Sequence, residues 1–175
     1  MALRRLGAGA APDDRKAADM YKKILVPFDD SEPSRHALAN ALELADGADG
    51  ATITVLKVVE WHDYNAETFK IASRMSGVTG ESLDMESISE IGSEAEREEA
   101  LTLRESIADV VGDADNIEVA IVNGSPHDTI VAYASDLGYD CIVMGHRGMG
   151  VIRGMLGSVA YSVLQKANKP VLVVK

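Results

Sequence analysis

Residues 23–32 carry the stretch KILVPFDDSE, which decides the fold of this chain. Its first half contains a short apolar run, residues 24–28, of the length and composition typical of a buried strand. Its second half supplies helix-start signals, because Asp29-Asp30-Ser31 offers cap residues and Pro33 is suited to the first turn of a helix. Apolar residues then recur at helical spacing over residues 37–45, so the stretch predicts a strand followed directly by a helix.

The same alternation of strand and helix continues along the chain. Further strands are predicted at residues 53–59, 117–122, 140–144 and 170–174, and further helices at residues 86–111, 126–137 and 157–167. Strands that alternate with helices favour a mostly parallel sheet with helices on both faces. The strands are continuous apolar runs, as expected where both faces are covered. The sequence therefore predicts one doubly wound, Rossmann-like α/β domain with a five-stranded sheet.

The remaining segments carry weaker patterns. Residues 1–19 are rich in alanine, glycine and charge, so we interpret them as a disordered lead-in to a domain at residues 20–175. Met20 directly precedes the first strand and is a candidate for the natural start. Residues 61–92 are either a lid over a site or a long surface connection. Gly47 is placed to end the first helix.

Composition and charge exclude several function classes. The chain has 175 residues, of which 46% are hydrophobic, and a formal net charge of -11 at pH 7. An acidic surface repels phosphate backbones and anionic membranes, so neither nucleic acid nor a membrane is an expected partner. No apolar run approaches transmembrane length, and none follows Arg4 and Arg5 as a secretory signal requires. The single cysteine, Cys141, is expected to be a buried core residue, and we expect a reducing, cytoplasmic location.

Two strand ends suit a ligand site at the edge of the predicted sheet. Doubly wound sheets bind ligands beyond the carboxyl ends of their strands, where the winding reverses. The fourth strand runs into a glycine segment, residues 145–158, where glycines can approach a ligand closely and adopt the positive φ angles that turn N–H groups inward. Gly157 and Ser158 stand at the next helix start, where the helix dipole favours an anion. The segment therefore predicts a phosphate site, with a flexible turn and a serine cap as the alternative.

The acidic pair at the end of the first strand has two open interpretations. Asp29 can accept hydrogen bonds from a ribose or an adenine or hold a metal through water, or it can cap the first helix, a task that Asp30 or Ser31 could perform instead. His146 could touch phosphate or act as an acid or base, but no paired nucleophile accompanies it. The P-loop pattern is absent, and so is a Gly-x-Gly-x-x-Gly pattern after the first strand, which argues against ordinary NAD binding. No cluster has zinc-site spacing, and no catalytic residue or metal site is predicted.

Several segments, in the right order, resemble the universal stress protein family and specifically its ATP-binding branch. Together they cover about residues 20–175, and they are KILVPFDDSE at residues 23–32, GSPH at 124–127, DCIVMG at 140–145, GSV at 157–159 and NKPVLVV at 168–174. The branch has the pattern Gly-x2-Gly-x9-Gly-Ser/Thr. Gly145, Gly148 and Gly157-Ser158 match it, although residues 149–156 number eight rather than nine. Gly150 and Gly154 are expected to let the shorter loop close.

The resemblance implies a nucleotide site, a strand order and an assembly. The ligand is expected to be ATP or AMP, with Mg2+ as a candidate companion, and the role is regulatory or stress-related with at most slow ATP hydrolysis. The implied strand order is 3-2-1-4-5, with a homodimer through the apolar C-terminal edge strand at residues 171–174. The expected nucleotide-binding residues are Pro27, Phe28, Asp29, Val58, Met144, Gly145, His146, Arg147, Gly148, Gly157, Ser158 and Val159.

Two other functions compete with nucleotide binding. The shortened spacing favours a family member that has lost the nucleotide and serves as a dimeric interaction module. Asp29-Asp30 and Lys169 invite a receiver-like phosphoacceptor domain. The predicted third strand, however, leads into Asn123 rather than an aspartate, and Lys169 precedes the last strand instead of following one.

Overall fold

Five strands and four helices make up the part of the chain that the structure describes. The computed structural model describes residues 21–46, 48–60, 85–148 and 155–175, with the side chains of residues 85–92 left aside. The predicted lead-in, Gly47, residues 61–84 and residues 149–154 of the glycine segment lie outside the described residues. The strands are β1 (Lys23–Pro27), β2 (Thr52–Val59), β3 (Ile117–Asn123), β4 (Cys141–Gly145) and β5 (Val171–Val174), and the helices are α1 (Glu32–Ala45), α2 (Met85–Val111), α3 (Pro126–Asp136) and α4 (Ser158–Lys166).

The sheet has the order β3-β2-β1-β4-β5, and its four strand pairs are all parallel. This order confirms the predicted doubly wound architecture. The chain proceeds outward from β1 through β2 to β3, then crosses to β4 on the other side of β1 and continues to β5. The winding therefore reverses between β1 and β4, so their carboxyl ends flank the crevice in which such sheets bind ligands.

Each face of the sheet is buried beneath a separate pair of helices. Side chains of a strand alternate between the two faces, so neighbouring residues of β1 enter different cores. Beneath α1 and α2 the core includes Ile24, Val26, Ala37, Leu38, Ala41, Ile53, Val55, Leu103, Ile107 and Val143. Beneath α3 and α4 it includes Leu25, Leu56, Ile130, Ala134, Tyr139, Ile142, Met144, Ala160 and Val163. Cys141 is buried as expected, and burial raises the pKa of its thiol to about 11, which keeps the sulfur protonated.

A buried hydroxyl pair links the segment before β4 to the centre of the sheet. The Tyr139 hydroxyl donates to Thr54 Oγ1 at 2.8 Å, and both residues are almost fully buried. Thr54 in turn donates to Glu118 at 3.4 Å, and the Lys23 ammonium lies 4.7 Å from the centre of the Tyr139 ring. Burial raises the pKa of Tyr139 to about 12, because a phenolate would lose its hydration there.

We expect Tyr139→Phe to lower the free energy of unfolding by about 1 kcal/mol at pH 8, because the variant loses this hydrogen bond. The wild-type protein should also lose stability as the pH rises from about 10 towards 12, since the unfolded phenol ionises near pH 10 and the folded one does not. Urea titrations between pH 8 and 11.5 measure both effects. Cys141 adds a decline of the same sign in both proteins, so an equally steep decline in Tyr139→Phe would contradict the prediction.

Candidate functional site

A cavity of about 380 Å³ lies at the reversal point, at the carboxyl ends of β1 and β4. Its volume falls within the range of small-molecule sites, roughly 300–1,000 Å³. The cavity is lined by Pro27, Phe28, Asp29, Ser34, Leu56, Val58, Pro126, Ile130, Met144, Gly145, Arg147, Gly148, Gly157, Ser158, Val159 and Ala160. Residues that are far apart in the sequence thus converge on one space, and these include every residue of the predicted site except His146.

One wall of the cavity is apolar and is built by strands and helices together. Leu56 and Val58 of β2 point to the same face of the sheet, where they meet Ile130 of α3 and Met144 of β4. Leu56 was not predicted as a site residue, although the two-residue period of a strand places it on the same face as Val58. The wall excludes water from one side of the cavity and suits a flat aromatic ring.

Asp29 lies in the loop between β1 and α1 and binds the N-cap residue of α1 instead of capping the helix itself. Ser31 is the N-cap of α1, and its hydroxyl accepts from the Ser34 amide at 3.3 Å. Asp29 Oδ1 accepts from the Ser31 amide at 3.2 Å and from its hydroxyl at 2.6 Å. Asp29 Oδ2 lies beside Gly148, where a Cβ atom would stand 2.4 Å from it. The cap is therefore Ser31, while Asp29 orients Ser31 with one oxygen and lies against the glycine segment with the other.

Gly145, at the end of β4, is required by crowding rather than by an unusual backbone angle. The expectation of positive φ at Gly145 and Gly148 is wrong, because neither residue adopts it. A Cβ at Gly145 would stand 2.8 Å from the carbonyl carbon of Pro33 and 2.9 Å from the Ser34 nitrogen. Glycine thus lets β4 end directly against the first turn of α1.

The start of α4 forms a second wall of the cavity and favours an anion. Gly157 is its N-cap, and Gly157, Ser158 and Val159 all line the cavity. The Gly157 amide donates to the His146 carbonyl at 2.8 Å, which holds the helix start against the end of β4. Amides in the first turn of a helix lack acceptors within the helix, and the helix dipole places positive potential there. Arg147 lines the same cavity and adds a guanidinium charge.

His146 is placed differently from the rest of the predicted site. Its Nδ1 lies 3.1 Å from the Val174 carbonyl oxygen, to which its own amide also donates at 2.7 Å, so both groups are engaged at the end of β5. A role for His146 in binding stays a prediction. Across the described ranges, no three His, Cys, Asp or Glu side chains are grouped closely enough to hold a metal ion. Over the same ranges, no helix combines the length and apolar character needed to span a membrane.

These features define a class of protein: a doubly wound α/β protein with an apolar wall and an anion-favouring helix start at the reversal point. The model of the Universal stress protein family matches residues 20–175, and the chain belongs to that family. This finding confirms the family that the sequence motifs indicate.

Individual relatives match this chain over most of their own length. Universal stress protein MJ0577 of Methanocaldococcus jannaschii is 35% identical over 161 residues, which cover 89% of this chain and 96% of the relative. The solved structure of MJ0577 superposes with a TM-score of 0.61 at 30% identity, covering 89% of this chain and 96% of that one. The universal stress protein of Archaeoglobus fulgidus, solved in complex with dAMP, gives a TM-score of 0.55 at 26% identity, covering 89% and 99%.

The two glycines at the end of β4 allow a matched test of the crowding. Gly145→Ala should lower the free energy of unfolding by about 1–3 kcal/mol, because its methyl group meets the backbone of Pro33 and Ser34. Gly148→Ala should cost about 1 kcal/mol or less, because its methyl group meets the end of the Asp29 side chain, which can rotate. Urea denaturation followed by circular dichroism measures both values. A cost at Gly148 equal to that at Gly145 would contradict this packing.

Proposed function

We propose that this protein binds an adenine nucleotide, ATP or AMP, in the cavity between β1 and β4 and acts as a regulatory or stress-response protein. The observation that carries the proposal is the presence, in one cavity, of an apolar wall and a helix start that favours an anion. An adenine nucleotide has the matching parts, a flat base at one end and phosphates at the other. The relative from Archaeoglobus fulgidus, solved with dAMP, supports this ligand class.

The base would pack against the apolar wall, where Leu56, Val58 and Ile130 exclude water from it. Removal of apolar area from water favours this packing. Asp29 lines the same cavity, and its carboxylate can accept hydrogen bonds from sugar hydroxyls while Ser31 stays bound to Oδ1. Pro27 and Met144 would complete the surroundings of the nucleoside.

The phosphates would lie at the start of α4. Backbone amides there and the Ser158 hydroxyl are donors, and Arg147 supplies positive charge. Mg2+ would accompany ATP through its phosphates, as is usual for this ion. We propose binding rather than turnover as the working event, with at most slow hydrolysis. Among the described lining residues Asp29 alone carries a carboxylate, and Ser31 engages it.

Of the competing functions, the receiver-like domain finds no support in the strand ends. β3 ends at Asn123, and Lys169 precedes β5, so neither the phosphoacceptor nor the lysine of a receiver has its position. An interaction module without nucleotide remains the alternative against which binding is tested.

We expect ATP to raise the melting temperature, and to do so more than adenosine, because the phosphates add charge-assisted contacts. Gly148→Val should lower binding of both ligands, since its side chain displaces the Asp29 carboxylate that faces the sugar. Arg147→Met should remove the extra increment due to the phosphates, because it deletes the positive charge in the cavity. Thermal melts and calorimetry with both ligands measure these effects, and a retained response of Arg147→Met to adenosine is the control.

Adenosine binding as tight as that of ATP would show that the glycine segment does not hold phosphates. If neither ligand binds at millimolar concentration, the interaction module becomes the better description of the protein.

We also propose that the protein is a homodimer through the outer edge of β5. The strand order places β5 at the end of the sheet, and the Leu172 side chain is 42% exposed there. On the neighbouring helix α4, Tyr161 and Leu164 are exposed as well. An exposed apolar edge promotes aggregation unless it is covered, and pairing with a second copy covers it.

Light scattering at micromolar concentration should therefore give the mass of a dimer, and Leu172→Lys should shift it towards the monomer because the variant places charge in the interface. Leu101→Lys is the matched control, since Leu101 is 57% exposed on α2 and should leave the dimer intact. A monomeric wild-type protein, or equal effects of both variants, would refute this assembly.

A further inference from the structure

We infer that Arg35, which does not line the described cavity, is a positioning residue for the nucleotide site. It holds Asp30 in a left-handed conformation and thereby sets where the carboxylate of Asp29 lies, a role that rests on the proposed nucleotide binding. The inference is carried by four contacts of the Arg35 guanidinium and by the backbone angle of Asp30.

Asp30 is the turning point of the loop that places Asp29. Its φ angle is 62°, and Asp30 is the one residue other than glycine with positive φ among the described residues. L-residues resist this left-handed region, although aspartate tolerates it better than most. Because Asp30 stands between Asp29 and Ser31, its backbone angles decide whether Asp29 Oδ1 reaches the Ser31 amide and hydroxyl. Losing this angle would therefore break these two bonds and free the Asp29 carboxylate to rotate away from Gly148.

Arg35 connects this turn to the neighbouring helix. Its Nη1 donates to Asp30 Oδ1 at 3.0 Å and to the Ser106 carbonyl of α2 at 2.7 Å. Its Nη2 donates to both carboxylate oxygens of Asp109, at 2.5 Å and 2.6 Å. The Arg35 side chain is 28% exposed, so much of it is shielded from water. The contacts with α2 thus hold the guanidinium in place independently of its contact with Asp30.

Because the guanidinium is already held in place, its contact with Asp30 can stabilise the left-handed conformation of that residue. An isolated surface ion pair contributes little, because both side chains lose freedom when they meet. Arg35 is already ordered by the hydrogen bonds that its Nη2 donates to both oxygens of Asp109, which lower the pKa of that carboxyl, and by the Ser106 carbonyl. Leu103 and Ile107, on either side of Ser106, are buried in the core, so this part of α2 is a firm support.

Loss of Arg35 would lower the fraction of molecules whose loop is in the conformation that binds the nucleotide. Without Arg35, Asp30 can leave the left-handed region, and fewer molecules hold Asp29 beside Gly148. The apparent dissociation constant rises in inverse proportion to the fraction of molecules that can bind. We expect Arg35→Met to weaken ATP binding about fivefold, in line with the intrinsic preference of L-residues against this conformation. Arg104→Met changes the charge equally at an exposed position of α2 and should leave binding unchanged.

A double-mutant cycle separates positioning from mere packing of α1 on α2. If Arg35 acts through Asp29, Arg35→Met should change ATP affinity by less than about twofold in an Asp29→Ala background. If it acts through packing, the fivefold loss should persist there, and the inference is overturned. Asp30→Gly gives a rescue, because glycine adopts positive φ without assistance. Adding it to Arg35→Met should restore ATP affinity, and failure to do so would also count against positioning.

Calorimetric titration with ATP measures all of these variants, and the ligand-free protein gives an independent check. The backbone chemical shifts of residues 29–31 report the conformation of Asp30, and Arg35→Met should move them whereas Arg104→Met should not. Unchanged shifts in Arg35→Met, or unchanged ATP affinity, would overturn the inference. Absence of ATP binding by the wild-type protein would overturn the proposed function instead, while the shifts would still decide whether Arg35 sets the turn.

Discussion

The pairing of β1 with β4 is the constraint on which the rest of the structure depends. The two strands are in register at Ile24 with Cys141 and at Leu25 with Ile142. The Lys23 carbonyl accepts from Asp140 on the β4 side, whereas the Phe28 amide donates to Leu56 on the β2 side. Backbone groups alternate sides along a strand, so residue 27 faces β4. Pro27 has no N–H to donate, which ends the ladder there and leaves room for a cavity.

The residues that close this cavity also begin the first helix, so fold and site share their parts. Ser31 caps α1 and is held by Asp29, which lines the cavity. Gly145 ends β4 against the first turn of α1, and the Gly157 amide fastens the start of α4 to the His146 carbonyl. Two helix starts are thereby fixed to the ends of the two central strands. A ligand in the cavity would meet groups whose positions are already set by folding, which lowers the entropy lost on binding.

Local patterns were sufficient for the order of the elements and for the two strand ends that suit a ligand, whereas most of the individual site residues were implied by the family resemblance. Apolar runs place β1 within a residue of its observed bounds, and the helix-start residues put α1 directly after it. The strand order came from family resemblance, since alternation alone does not say on which side of β1 the fourth strand lies. Ser34, Pro126, Ile130 and Ala160 line the cavity but were missed because only the tertiary fold brings them there, whereas the two-residue period of β2 could have found Leu56 beside Val58. The prediction of positive φ at Gly145 and Gly148 failed for a similar reason, since the atoms nearest to these glycines belong to residues distant in sequence.

The strongly acidic chain and the anion-favouring cavity are compatible because the sheet separates them. Exposed carboxylates of α2, among them Glu94, Glu98 and Glu105, lie on the helix that packs on one face of the sheet. The start of α4 belongs to the opposite face, with Arg147 beside it in the cavity. The exposed carboxylates of α2 face solvent, where salt screens their repulsion with a Debye length of about 8 Å. The local donors of α4 then decide the potential that a phosphate meets, whereas the net charge of -11 acts chiefly on its distant approach.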